Sequence, residues 1–181
     1  MLEEHGAVVV DADRIVRELQ RPGEPVFEAM VEEFGQRIVA ADGSLDRQAV
    51  ADIVFGDEEA LKRLNAIVHP AVGATMAVRL AALAETDQVV ILDIPLLVES
   101  GRDDMAAVIV VDVDPEIAVA RLVELRGFSE DDARSRISRQ ASREERLARA
   151  DVVLDNSGSV EHLRHQVDEL WSRIAAGEFG A

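Results

Sequence analysis

Four short, largely apolar runs, Ala7–Val10, Gln88–Leu92, Val108–Val111 and Asp151–Leu154, constrain the fold more than any other feature of the chain. They are rich in Val and Ile, do not alternate with polar residues, and are separated by long stretches of helical periodicity. Continuous apolar strands joined through helices predict an α/β fold with a parallel sheet covered on both faces. In open sheets of this kind, ligands sit beyond the carboxyl ends of the strands. Those ends here are Asp11-Ala12-Asp13, Asp93-Ile94-Pro95, Asp112-Val113-Asp114 and Asp155-Asn156, an acidic edge suited to a cation and phosphates.

The helical stretches carry their own boundary signals. Asp46 and Asp57 are candidate N-caps, and Asp42-Gly43 is a turn. Leu61, Leu64 and Ile67 recur at helical spacing, as do Val72, Met76, Leu80 and Leu83, and both stripes read as core-facing. His69-Pro70 stands between them and predicts a bend, because proline disfavours helix at the residue before it. Pro115 to Gly127 reads as one helix and Ser129 to Arg149 as another, the latter opened by Ser129 with Asp132 three residues on. Met1 to Gly6 reads as a last helical turn closed by glycine.

Composition excludes several classes of function. The chain has no cysteine, so disulfides, thiolate metal sites and thiol nucleophiles are ruled out. A net charge of −17 argues against nucleic acid as a partner. The longest wholly apolar run, Met105 to Val111, is seven residues, so neither a membrane partner nor a leader is expected, and the cytoplasm is the expected location. The charge is uneven. Eight of the eighteen arginines fall between Arg121 and Arg149, where the local balance is +2. A basic island on an acidic body suits a small polyanion.

Asp11 and Asp13, two residues apart at a strand end, are candidates to activate a hydroxyl or to hold Mg²⁺ through water; equally, one of them caps the following helix. Arg136, Arg139, Arg143 and Arg146 share one face if their helix is continuous. Guanidinium forks on such a face match phosphate oxygens, or they pair with Glu144, Glu145 and nearby acids. His69 has no second histidine at ligand spacing, which argues against zinc, and serves either a bound group or a capping or packing role. No Gly-x-x-x-x-Gly-Lys-Ser/Thr phosphate loop occurs in the 181 residues, and the sole lysine, Lys62, lies in a helical stretch.

Several segments, in order, resemble the dephospho-coenzyme A kinase family. They are Gly6 to Asp13, Arg14 to Pro22-Gly23, Phe34-Gly35, Asp42 to Arg47, Ile53-Val54-Phe55 and His69-Pro70. Asp93-Ile94-Pro95-Leu96-Leu97-Val98-Glu99, Arg121-Leu122, Arg126-Gly127, Arg139-Gln140 and Ala150-Asp151 to Gly158 complete the set. The resemblance implies a P-loop nucleotide-kinase-like parallel sheet, a helical substrate subdomain at about 36–85 and a helical lid at about 115–149. The remaining core would comprise 1–35, 86–114 and 150–181. It implies transfer of the ATP γ-phosphoryl to the ribose 3′-hydroxyl of dephospho-CoA, with Mg²⁺. Asp13 would then be the catalytic acid, with indirect contact to the metal. Asp11, His69, Pro95, Leu96, Leu97 and Glu99 would line the dephospho-CoA side. Arg121, Arg139 and Arg143 would hold ATP phosphates, and Asn156 would lie near the adenine.

The family's opening strand and glycine loop are not found in these residues, so the first, central strand of the sheet is expected to be missing. The chain as written is therefore expected neither to fold well alone nor to phosphorylate anything, with a start codon assigned too late as the simplest cause. Two other readings stay open: a non-catalytic module binding CoA-type nucleotides, and another relative of the nucleoside monophosphate kinases. Oligomeric state is not legible.

Overall fold

Two parallel strands, β1 (Val8–Asp11) and β2 (Val90–Asp93), begin and end the first unit of the computed structural model, Ala7–Ile94; the structure describes residues 1–179. Val8 pairs with Val90 and Asp11 with Asp93, so the two aspartates finish their strands side by side. Between the strands run α1 (Ala12–Leu19), α2 (Pro25–Phe34), α3 (Arg47–Val54) and α4 (Glu58–Leu83). Asp46 and Asp57 cap α3 and α4 as expected, accepting the Ala49 and Ala60 amides at 2.9 Å.

α4 is the spine of this unit, with α1, α2 and α3 packed against it. One core cluster gathers Val26, Phe27, Met30, Phe34, Ile38, Leu45, Val50, Ala60 and Val68. A second joins Val10 of β1 to Ile15 and Met76, with Val72, Leu80 and Leu83 alongside. The second predicted stripe thus faces a core; in the first, Leu64 and Ile67 do so while Leu61 is exposed.

The expected bend at His69-Pro70 is not found: α4 runs unbroken through Pro70. Proline deletes one donor, the one that would bond the carbonyl of Ala66, and Ala66, His69 and Pro70 are all exposed. Water can satisfy that carbonyl, which makes an interior proline tolerable on this face. By length and composition α4 is also long and apolar enough to cross a membrane, with a mean hydropathy of 1.5, although no single apolar run within it is long. Its observed partners are the neighbouring helices.

The second unit comprises Met1–Gly6 and the residues from Pro95 onward. It contains α5 (Leu97–Ser100), β3 (Ile109–Asp112), α6 (Pro115–Arg126), α7 (Glu130–Ile137), α8 (Arg143–Arg149), β4 (Val152–Asp155) and α9 (Val160–Ala175). β3 and β4 pair in parallel, with Asp112 beside Asp155. Val152 and Leu154 of β4 pack on Val167 and Leu170 of α9. The opening residues form a 3-10 turn, Leu2–His5, closed by Gly6 at φ 105°, a conformation that favours glycine. His5 stacks on Trp171 and bonds Asp168 at 2.8 Å, which holds the turn on α9.

The α/β class and parallel pairing follow the sequence expectation, and each strand ends at its aspartate. The four strands form two two-stranded sheets, β1-β2 and β3-β4. The single helix expected from Ser129 to Arg149 is divided instead at Ser138–Ser142. The cause is local. Ser142 opens α8 with a full capping box, its hydroxyl accepting the Glu145 amide while Glu145 accepts the Ser142 amide. A serine so placed starts a helix better than it continues one.

Candidate active site

In the first unit, three carboxylates collect where β1 and β2 end. Asp11 caps α1, its side chain accepting the Arg14 amide at 2.9 Å, so the capping alternative holds for this residue. Asp13 is exposed in the first turn of α1, where the helix dipole favours negative charge. Asp93 stands opposite Asp11 across the strand pair. Its carboxyl is held above the usual carboxylate range, first by partial burial and then by the charges of Asp11 and Asp13. Such a group of like charges favours a bound proton or cation. No cluster of three or more His, Asp or Glu side chains with metal-holding geometry occurs among the described residues. His69 is exposed in the middle of α4.

The second unit gathers most of the remaining candidates. Arg121 of α6 donates from Nη1 to the Asn156 carbonyl at 2.7 Å and from Nη2 to the Gly158 carbonyl at 3.4 Å. The Asn156 amide donates in turn to the Asp112 carbonyl at 2.7 Å. The two residues are thus together, with the guanidinium shaping the loop after β4. Arg143 forms a fork with the buried Asp112 at the end of β3, at 2.6 to 3.1 Å. The guanidinium holds the Asp112 carboxyl below its usual range against the opposing effect of burial.

Pro95 and Leu96 are exposed, Leu97 opens α5, and Glu99 accepts the Ala141 amide at 2.6 Å. Arg139 lies in the connection between α7 and α8, beside that amide in the chain. The break between these helices means that Arg136, Arg139, Arg143 and Arg146 do not share one continuous helix face. Arg136 instead lies over the Phe128 ring, 4.4 Å from its centre, and Arg146 donates to the Ala141 carbonyl at 2.6 Å.

Sequence reasoning placed Asp93 and Asp112 at strand ends without naming either as a site residue. Their signal was the register of the strands: each pairs with the terminal aspartate of its neighbour. For Arg146 the spacing left a phosphate-binding face and pairing with nearby acids both open, and its hold on the Ala141 carbonyl becomes visible only with the helix break.

A sequence model of the family described as Dephospho-CoA kinase matches residues 1–162. The dephospho-CoA kinase of Streptomyces avermitilis is 51% identical over 96% of this chain and 85% of its own length. That of Thermobifida fusca is 47% identical over 96% and 86%. Among solved structures, TT1252 from Thermus thermophilus superposes with a TM-score of 0.77 at 33% identity, over 95% of this chain and 87% of that one. Dephospho-CoA kinase from Campylobacter jejuni has the same fold, with a TM-score of 0.71 at 24% identity over 97% and 89%. The chain belongs to the dephospho-CoA kinase family, and with it to the kinases, transferases that serve coenzyme A synthesis.

Proposed function

We propose that this chain carries the acceptor-activating and phosphate-holding surfaces of an enzyme that phosphorylates the ribose 3′-hydroxyl of dephospho-CoA from ATP. The observation that carries this reading is the carboxylate group Asp11, Asp13 and Asp93 at the in-register ends of β1 and β2. In the reaction the 3′-oxygen forms a bond to the γ-phosphorus as the bond to the β,γ-bridging oxygen breaks. ADP leaves, and the hydroxyl proton passes to Asp13. The Asp11 side chain already accepts the Arg14 amide, which favours Asp13 as the acid of the pair for this role. Mg²⁺ suits one or two carboxylates completed by phosphates and water. Asp93 offers a hard oxygen donor of that kind, with Asp13 reaching the metal only through water, and the metal would offset charge on the phosphates.

Arg121 fixes the loop at Asn156 that would receive the nucleotide base, and Arg139 belongs to the arm that would meet the phosphates. Arg143 serves this arm by holding α8 to Asp112, and Pro95, Leu96 and Leu97 offer an apolar edge to the acceptor. The family's phosphate cradle is a strand and glycine loop whose motif does not occur in the 181 residues. We expect no turnover from the 181 residues alone.

The test measures ATP-dependent phosphorylation of dephospho-CoA by the 181-residue chain and by a chain preceded by the family's strand and glycine loop. Turnover only by the extended chain is the expected result. Turnover by the 181 residues would remove the need for the cradle. Binding of dephospho-CoA without turnover by either chain would favour the non-catalytic module.

A further inference from the structure

The peptide of Ala141 is gripped from both sides in the connection between α7 and α8. Its amide donates to Glu99 Oε1 at 2.6 Å, and its carbonyl accepts from Arg146 Nη1 at 2.6 Å. The two partners belong to different elements. Arg146 lies in α8, which Arg143 fixes to the end of β3 and whose Arg149 donates to the Arg102 carbonyl at 3.1 Å. Glu99 lies in α5, directly after the exposed Pro95 and Leu96. On the other side of the connection, Arg134 ties α7 to α6 through a fork with Glu116 at 2.7 and 2.8 Å. The segment Ser138–Ser142 is therefore the joint between a helix fastened to α6 and a helix fastened to β3. Glu99 is the side chain from the Pro95–Glu99 segment that holds this joint.

We propose that Glu99 is a positioning residue that couples occupancy of the Pro95–Leu97 edge to the joint of the arginine-bearing arm; the coupling rests on the reading that dephospho-CoA seats on that edge. A ligand held by Pro95, Leu96 and Leu97 orders α5, a helix of only four residues. Ordering α5 fixes the Glu99 carboxylate, and the carboxylate fixes the Ala141 amide. The bond is charge-assisted, which makes it stronger than an ordinary backbone bond. Linkage requires the reverse effect as well: whatever fixes the joint raises affinity at the loop by the same factor.

Amide hydrogen exchange at Ala141, with dephospho-CoA as the probe ligand, tests this without any need for turnover. In the unsubstituted chain dephospho-CoA is expected to slow exchange at Ala141. In Glu99→Ala, ligand-free exchange at Ala141 is expected to rise by about tenfold, the loss of one hydrogen bond to a charged acceptor. At a dephospho-CoA concentration that saturates this variant, whatever its affinity, exchange at Ala141 should stay unchanged. Glu99→Gln keeps an acceptor oxygen without the charge and should restore part of the protection, whereas Glu99→Met fills the space without an oxygen acceptor and should restore none.

The Asn156 amide, bonded to Asp112, is the internal control. Should it also lose protection in Glu99→Ala, the variant has unfolded and Glu99→Gln decides, by whether dephospho-CoA still slows Ala141. Equal exchange at Ala141 in the Glu99→Ala and parent chains, or an undiminished ligand effect in that variant, would overturn the proposal. Absence of dephospho-CoA binding to the parent chain would instead sink the substrate reading and the coupling with it. A tenfold change in the ligand-free comparison would then leave Glu99 as the tie of the joint alone.

Discussion

The two strand pairs end alike and behave in opposite ways. Asp11 stands beside Asp93, and Asp112 beside Asp155, each pair at the carboxyl ends of parallel strands. At the first pair burial and neighbouring acids raise the Asp93 carboxyl. At the second, Arg143 lowers Asp112, and the Ser157 amide lowers Asp155. One end is left with unneutralised charge, and the other is satisfied from within. Uncompensated charge at a strand end costs stability, and the compensation it calls for is a cation, a proton or a positively polarised substrate group. Satisfied charge is architecture. On the proposed reading, the same sequence signal, an apolar run closed by aspartate, marks chemistry in one unit and packing in the other.

Substituting Asp13 and Arg143 in the chain extended by the glycine loop would break that comparison most directly. Asp13→Asn should lower kcat by roughly 10²- to 10⁴-fold, the range for removing a general base, with little change in Tm. Arg143→Met should do the reverse. It strands the buried Asp112 carboxylate without its fork, and Tm should fall by about 5 °C or more. Steady-state kinetics and thermal melts of both variants check the pair. A large loss of kcat with unchanged Tm in Arg143→Met would make Arg143 a phosphate ligand and erase the distinction. A smaller effect is expected at Arg121, whose fork holds two carbonyls of the loop after β4. Arg121→Lys keeps the charge but not the fork, so KM for ATP should rise by about threefold to tenfold with kcat nearly constant.

Much of the fold was legible because its signals are local. The four strands lie within two residues of the predicted runs, and the caps at Asp46, Asp57 and Ser129 are where their side chains demand. What escaped was decided by competition between signals. Pro70 reads as a breaker, but its missing donor falls on an exposed face of a helix whose other side is core. Arginine spacing from Arg136 to Arg146 reads as one face, but a capping box at Ser142 outweighs it. Among the site candidates, Asp11 and Asp13 could be found together but not told apart. Spacing cannot say which of them caps α1. Glu99 was singled out as a substrate residue, yet its partner is a backbone amide 42 positions away, and a backbone group leaves no mark in a sequence.

The smallest effect concerns pH, and its sign separates the two strand ends. Asp93 has a raised folded-state carboxyl, so between its usual value of 3.8 and the raised one the folded chain binds more protons than the unfolded chain. Stability contributed at this site is thus present at low pH and lost as pH rises through that window. Asp112 has a lowered carboxyl, and its contribution is present above 3.8 and lost as pH falls below it. Asp93→Asn removes the first effect only. Because Asp93 is largely exposed, solvent screens the repulsion, and a gain of about 1–2 °C in Tm is expected at neutral pH, vanishing below pH 3.8. Arg143→Met is also pH-dependent but in the other direction, its Tm deficit being largest at neutral pH and shrinking as Asp112 protonates. Melts of the three chains from neutral pH to below 3.8 would show two differences of opposite sign closing together in acid. A deficit in Asp93→Asn at neutral pH would mean that its carboxylate is already compensated, and the two strand ends would then be alike.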